Sequence, residues 1–258
     1  MAPPRPAQPR RPATRDGLLL WVIHRFSEAL GDHAVLKGGM ALRLLDCPRR
    51  TNDLDYVFVP YGSKKNILPG IVRVLSGLEG AVVTSTLNSK AARFEVKLDG
   101  AAIQVEASVD RGCESIPVAT ASLAAEQAVP SQVVRIMAPD VALANKLAAW
   151  NERRLLRDLY DAYFLTVRAR ARPALAVLGT RLSNVQSRIP RSKKRKSVTL
   201  EAFLSELEEA LAASTDEALA EELSGLLDAS ELPGLALRIR TGLSRLVEEL
   251  RQGHPREG

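Results

Sequence analysis

The run Val35-Leu36-Lys37-Gly38-Gly39-Met40-Ala41-Leu42-Arg43, followed by Arg49-Arg50-Thr51-Asn52-Asp53-Leu54-Asp55-Tyr56-Val57-Phe58-Val59-Pro60, decides how this chain is read. It has the form of a short apolar strand, a glycine pair opening a helix, and a second strand that begins with two aspartates. Glycines at a helix start let backbone N–H groups come close to an anion, and the helix N-terminus favours negative charge. Carboxylates at i and i+2 of a strand point to one face, so Asp53 and Asp55 can grip one hard cation together. A phosphate cradle followed by a two-carboxylate clamp is the equipment of nucleotidyl transfer.

Working outward, apolar periodicity predicts a helix over 16–30, with Asp16 as its cap, and a first strand over 34–36. A short helix over 41–45, a strand over 53–59 and a helix over 63–78 follow. Strand-like runs cover 81–86, 93–98, 101–107 and 133–137, with Asp99-Gly100 as a hairpin turn between two of them. Pro139-Asp140 opens a single long helix over 141–168. Further helices are expected over 174–188, 200–213, 217–227 and 235–251. The fold class is therefore mixed α/β (α+β): a mixed sheet flanked by helices, then an all-helical half, with a cleft between the halves.

Composition sets the bounds. The chain has 258 residues, 46% of them hydrophobic and 26% charged, as in ordinary globular proteins. No apolar run reaches the roughly 18 residues that a membrane-spanning helix needs. Residues 1–15 are rich in arginine and proline without an acid and read as a disordered basic arm. Cys47 and Cys113 offer neither a disulfide framework nor zinc spacing, which suits a reducing cytoplasm. Charge is distributed unevenly: segment 146–198 has 14 Lys/Arg against three acids, a net of +11, and segment 199–237 has ten acids and no base. The basic block suits a polyanion such as RNA, although any charge run also reads as a solvated face.

The spacing of Gly38-Gly39 and Asp53-Leu54-Asp55 resembles the nucleotidyltransferase superfamily that includes DNA polymerase beta. More narrowly, Leu36-Lys37-Gly38-Gly39-Met40-Ala41-Leu42 with Arg50-Thr51-Asn52-Asp53-Leu54-Asp55 is similar to the AbiEii and MenT toxin branch. Ala144-Asn145-Lys146-Leu147 with Arg153 and Arg157-Asp158-Leu159-Tyr160-Asp161 resembles that branch's lysine and Arg-Asp-x-x-Asp signature. The resemblance covers roughly 18–165; with the change from mixed α/β to all-helical pattern, the chain divides into a nucleotidyltransferase core over 16–138, a helical domain over 139–252 and a tail over 253–258. The resemblance further implies an NTP substrate, a two-metal magnesium site, an RNA acceptor such as the tRNA 3′ end, and an antitoxin partner. The same core also serves enzymes that modify a small molecule or a protein hydroxyl, and an inactive RNA-binding relative is the third reading.

Residue roles follow. Asp53 and Asp55 would hold magnesium, with Glu106 as third carboxylate ahead of Glu95 and Asp110; Glu106 reads equally well as an outward-facing strand glutamate. Gly38 and Gly39 would approach the nucleotide's phosphates. On a single helix Lys146, Arg153 and Arg157 fall within about 20° of one line and Asp161 about 60° from it, while Asp158 lies about 120° away. Lys146 would then neutralise phosphate charge, Arg153 and Arg157 would add nucleotide contacts, and Asp161 would position the nucleotide, the lysine or the attacking group. Asp158 would pair with Arg154 at i−4, and a charged solvent stripe is the competing reading of this face. Thr51 reads either as a nucleotide-side hydroxyl that the resemblance makes a phosphorylation switch, or as a loop cap. Met40 stands where the branch has Thr or Ser, and Asn145 where it commonly has Glu.

Overall fold

The computed structural model describes residues 11–88, 91–186 and 196–253. Most of the expected basic arm, most of the basic loop at 190–197 and the tail beyond 253 lie outside them. The chain forms two compact units. One holds the chain up to Leu44 together with Asn52–Ile136, and the other holds Leu45–Thr51 and the chain from Met137 onward. The sequence boundaries kept 45–51 with the sheet; its contacts place it with the helices.

The first unit is built on a seven-stranded mixed sheet. Its strands are β1 (Ala34–Lys37), β2 (Asp53–Phe58), β3 (Val82–Leu87), β4 (Ala92–Leu98), β5 (Ala101–Val109), β6 (Ser115–Ala119) and β7 (Val133–Met137). They lie in the order β3-β4-β5-β2-β1-β7-β6. β1 runs antiparallel to β2, β2 parallel to β5, and β3, β4 and β5 form an antiparallel meander. Period-2 alternation sets the faces. In β2, Leu54, Tyr56 and Phe58 are buried; in β4, Ala92, Phe94, Val96 and Leu98 are buried while Arg93, Glu95 and Lys97 are exposed. Helix α1 (Arg15–Leu30) supplies Phe26, whose ring meets Tyr56 at 5.0 Å and Phe58 at 5.7 Å, both edge-on. Helix α3 (Lys64–Ser76) adds Ile67, Ile71 and Leu75 at four-residue spacing. Each such side chain fully buried contributes about 1.5–3 kcal/mol.

Three local expectations are corrected in this unit. Thr14, not Asp16, caps α1: its Oγ1 accepts from Gly17 N at 2.9 Å, and Asp16 instead receives both Arg43 Nη groups. Helix α2 (Gly38–Arg43) begins on the glycine pair itself rather than behind it. Strand β6 and helix α4 (Ala121–Glu126), unmarked by sequence periodicity, lie between β5 and β7.

The second unit is helical: α5 (Pro139–Arg153), α6 (Leu156–Tyr163), α7 (Leu175–Ser183), α8 (Leu200–Ala213), α9 (Asp216–Leu223) and α10 (Leu235–Gly253). Trp150 and Phe203 meet edge-on at 6.0 Å, and Leu207, Leu211, Ile239, Leu243, Leu246 and Val247 are buried.

The single long helix expected over 141–168 is two helices. α5 stops where Arg154 takes φ 56°, in the left-handed region, with its guanidinium 4.3 Å over the Trp150 ring and paired with Glu206. α6 restarts at once because Glu222 of α9 accepts from Leu156 N at 2.8 Å and Arg157 N at 3.0 Å, satisfying two amides that open a helix without intrahelical partners. A π-helical turn over Phe164–Arg168 follows. Gly242 of α10 packs against it so closely that an added Cβ would lie 2.7 Å from Val167 Cγ2.

Glu222→Ala is therefore expected to destabilise the protein by about 0.5–2 kcal/mol, the scale of a lost helix cap. Urea unfolding checks this. A change no larger than that of an exposed Glu221→Ala control would contradict the capping role.

Candidate functional site

The β1–α2 turn brings backbone against carboxylate. Gly38 sits at φ 72°, and a Cβ there would run into the Asp55 carboxylate, 3.0 Å from its Cγ. Positive φ and this close approach both require glycine. Gly39 is buried, and Met40 is 0% exposed, with its side chain in the core. Met40 therefore offers nothing to a phosphate in place of the family hydroxyl, and any cradle here must be backbone. Lys37, in the N-cap position, makes no side-chain cap bond to α2.

Asp53 is exposed and Asp55 half-buried, both on the face of β2 opposite Leu54 and Tyr56. Across the parallel pairing Asp53 is in register with Gln104 and Asp55 with Glu106; across the antiparallel pairing Asp55 opposes Lys37. Glu106 is thus beside Asp55 in the sheet, but its Oε2 accepts from Arg93 Nε at 2.9 Å. Glu95 pairs with Lys97 at 2.9 Å, and Asp110 accepts from Arg111 N. Among the described residues no group of three His, Cys, Asp or Glu is assembled around a metal position. The two aspartates nevertheless fit magnesium, which takes one or two carboxylates and completes its shell with substrate phosphates and water. The expected third ligand, Glu106, is closed on Arg93.

In the helical unit a cluster of charges is buried. Lys146 Nζ lies 2.6 Å from Asp161 Oδ2 and 3.9 Å from Asp158 Oδ1. Arg49 grips Asp161 with two bonds, Nε to Oδ1 at 2.7 Å and Nη2 to Oδ2 at 3.1 Å. Arg153 grips Asp158 the same way, both at 2.6 Å. Burial alone would raise the Asp161 carboxyl, but Lys146 and Arg49 outweigh it and hold it below the usual carboxylate range. Burial likewise works against the charge on Arg49, and Asp161 restores it above the ordinary guanidinium value.

The expected roles shift accordingly. Lys146 and Asp161 do meet, but across the α5–α6 break rather than along one helical face. The Asp161 side chain is 1% exposed and holds Lys146 and Arg49. Arg153 is committed to Asp158, and Asp158 has Arg153, not Arg154, as its partner. Arg157 is exposed, off the cluster. Thr51 is half-buried in the segment just before Asp53. Sequence reading missed Arg49, which it left in a loop; an arginine pair directly before the aspartate strand, with an Arg-Asp-x-x-Asp helix needing counterions, was the available signal.

Asp161→Asn removes the shared anion between two buried cations and is expected to cost about 3–5 kcal/mol at neutral pH. Because the folded carboxyl is held low, its contribution is full above the ordinary value near pH 4 and is lost as pH falls below that toward the folded value. Urea midpoints for wild type and variant should therefore converge below about pH 4. A gap independent of pH would contradict the ionised, shared role.

Comparison with known proteins gives the fold and the family. A family model described as nucleotidyl transferase AbiEii toxin, type IV TA system, matches residues 21–235. No curated protein matches the sequence. Among solved structures, MenT4, a nucleotidyltransferase toxin from Mycobacterium tuberculosis H37Rv, superposes with a TM-score of 0.60 at 17% identity, covering 94% of this chain and 87% of that one. JHP933 from Helicobacter pylori superposes with a TM-score of 0.53 at 17% identity, covering 93% of each chain. At such identities the likeness speaks for the fold, and the family assignment rests on the match over 21–235: the chain belongs to the AbiEii nucleotidyltransferase toxin family.

Proposed function

We propose that the protein transfers a nucleotide from an NTP to an RNA, with the tRNA 3′ end as acceptor, in a reaction that depends on magnesium and is restrained in the cytoplasm by a cognate antitoxin. The observation that carries this reading is the pair Asp53 and Asp55 on the open face of β2, with Asp55 packed against the Gly38 backbone. Asp53 and Asp55 would hold the metal, which supplies charge neutralisation on the triphosphate and a more acidic acceptor hydroxyl. The Gly38–Gly39 backbone would receive phosphate oxygens. Lys146, held by Asp161, would counter the charge that builds on the departing pyrophosphate. Thr51 lies two residues before Asp53, and a phosphate there would set nearly two negative charges beside the aspartates and oppose triphosphate binding.

The RNA acceptor draws support from the basic block, though less than its sequence count suggests. Lys146, Arg153, Arg154, Arg172 and Arg181 close on carboxylates of the same unit. Arg157, Arg168 and Arg170 are exposed. The basic loop at 190–197, counted toward the same block, lies mostly outside the described residues.

Incubating the purified protein with magnesium, each labelled NTP in turn and unfractionated tRNA tests this. Label should enter tRNA, disappear with EDTA, and fall by about 10²-fold or more in Asp53→Ala or Asp55→Ala, as when a transition-state charge partner is removed. Growth arrest on expression should be relieved by the same substitutions. A wild-type protein that labels no RNA would sink the proposal.

A further inference from the structure

The open face of the sheet continues past Asp53 into a feature that the donor chemistry does not use. Two rows of polar side chains cross four strands in register. One runs Thr84, Glu95, Gln104, Asp53, and the next runs Thr86, Arg93, Glu106, Asp55. Over β3, β4, β5 and the start of β2 lies a cavity of about 510 Å³ whose walls include Asp53, Gln104, Thr84, Arg93 and Arg15. That volume falls in the range of small-ligand sites. All of it belongs to the sheet unit.

The position of the cavity relative to the aspartates assigns its occupant. β2 has β1 on one side and β5 on the other. The Gly38–Gly39 turn follows β1, so phosphates received there sit on the β1 side of Asp53 and Asp55. In phosphoryl and nucleotidyl transfer the attacking and leaving oxygens are roughly in line through phosphorus. With the pyrophosphate leaving toward β1, the attacking hydroxyl must arrive from the β5 side, where the cavity opens at Asp53.

Arg15 supplies a second, independent observation. It is the first residue of α1, where the helix dipole disfavours a cation. Its Nη1 is turned to the neutral Asn52 Oδ1 at 3.0 Å, next to Asp53. A guanidinium held at an unfavourable helix end beside a neutral partner is available to a phosphate, and Arg93 stands on another wall of the same cavity.

We propose that this cavity is the acceptor site: it takes the 3′-terminal nucleotide of the RNA, with the terminal ribose hydroxyl at Asp53. Arg15 contacts the phosphodiester, and Gln104 and Thr84 hydrogen-bond the base or ribose. The 3′-oxygen forms a bond to the α-phosphorus of the NTP. The bond from that phosphorus to the bridging oxygen breaks, pyrophosphate leaves with the electron pair, and the hydroxyl proton passes to water. This assignment rests on the function proposed above and deepens it.

Steady-state transfer to unfractionated tRNA, with separate measurement of NTP binding, tests the assignment. Arg15→Gln should raise the KM for tRNA about tenfold, the effect of one charge-assisted contact. It should also lower the salt slope of tRNA binding by about 0.7, as for one single-strand phosphate contact. Thr84→Trp, on an exposed position of β3, fills the cavity and should raise the same KM further. NTP affinity and the urea midpoint should stay at wild-type values in both. An unchanged tRNA KM in both variants, or NTP affinity falling in step with it, overturns the acceptor assignment and leaves the nucleotidyltransferase reading in place. Absence of transfer by the wild type instead fells that reading, and the acceptor site with it.

Discussion

Asp55 lies so close to the Gly38 backbone that no side chain can stand between them, and the site is arranged around that contact. A Cβ at residue 38 would collide with the carboxylate, and the backbone at φ 72° disfavours every residue that has one. The contact is set by the antiparallel register that puts Lys37 opposite Asp55, which itself follows from the alternation of β2. Slipping β2 by one residue would turn Leu54 and Tyr56 outward and both aspartates into the core. Burial of Phe26, Tyr56 and Phe58 as one aromatic cluster makes that slip prohibitive. The apolar face therefore aims the polar one.

This explains why the sheet unit was largely legible from sequence. Period-2 alternation in 53–58 and 92–98, the Asp99-Gly100 turn and the glycine pair are local signals, and each states the same architecture that the tertiary contacts enforce. The edges of legibility are equally physical. Strand β6 alternates weakly and carries Pro117, so its pattern resembles loop. Whether Glu106 joins the Asp55 carboxylate or closes on the Arg93 guanidinium is decided by a cross-strand neighbour one strand away, and the strand's own pattern is the same in either case.

The helical unit was legible in its periodicity and illegible in its break. Nothing between Asn151 and Arg157 is glycine or proline, so the sequence continues a helix. The interruption is made by groups far along the chain: Glu206 holds Arg154 out of helical conformation, and Glu222 supplies the cap that lets α6 begin. The same contacts account for much of the acidic stretch at 199–237. Glu206 and Glu208 pair with arginines, Glu222 caps α6, and Asp216 accepts from Gly234 N and Ala236 N. Much of the charge asymmetry is spent inside the unit.

The buried cluster shows what that internal use leaves over. Ion pairs removed from water seldom outperform apolar packing, because desolvation offsets the Coulomb gain. Asp158 and Asp161 could have been apolar side chains at lower cost, so stability alone does not account for them. Counted as a set, Arg49, Lys146 and Arg153 bring three positive charges to two carboxylates. The surplus positive charge reaches solvent at Lys146, whose side chain is 16% exposed, and at Arg153, 30% exposed, while both carboxylates are sealed. Arg49 and Arg153 each commit a two-point grip to one carboxylate, which fixes the geometry; the lysine is a point charge that shares Asp161 and keeps donors to spare. A cation fixed in this way, desolvated on one side and open on the other, attracts an anion more strongly than a surface lysine free to move, since little reorganisation is needed when the anion arrives. The physical case for Lys146 as a phosphate-facing cation is therefore the charge imbalance of its cluster, and Arg49, signalled in the sequence only by its place in the arginine pair before the aspartate strand, is what makes that imbalance possible.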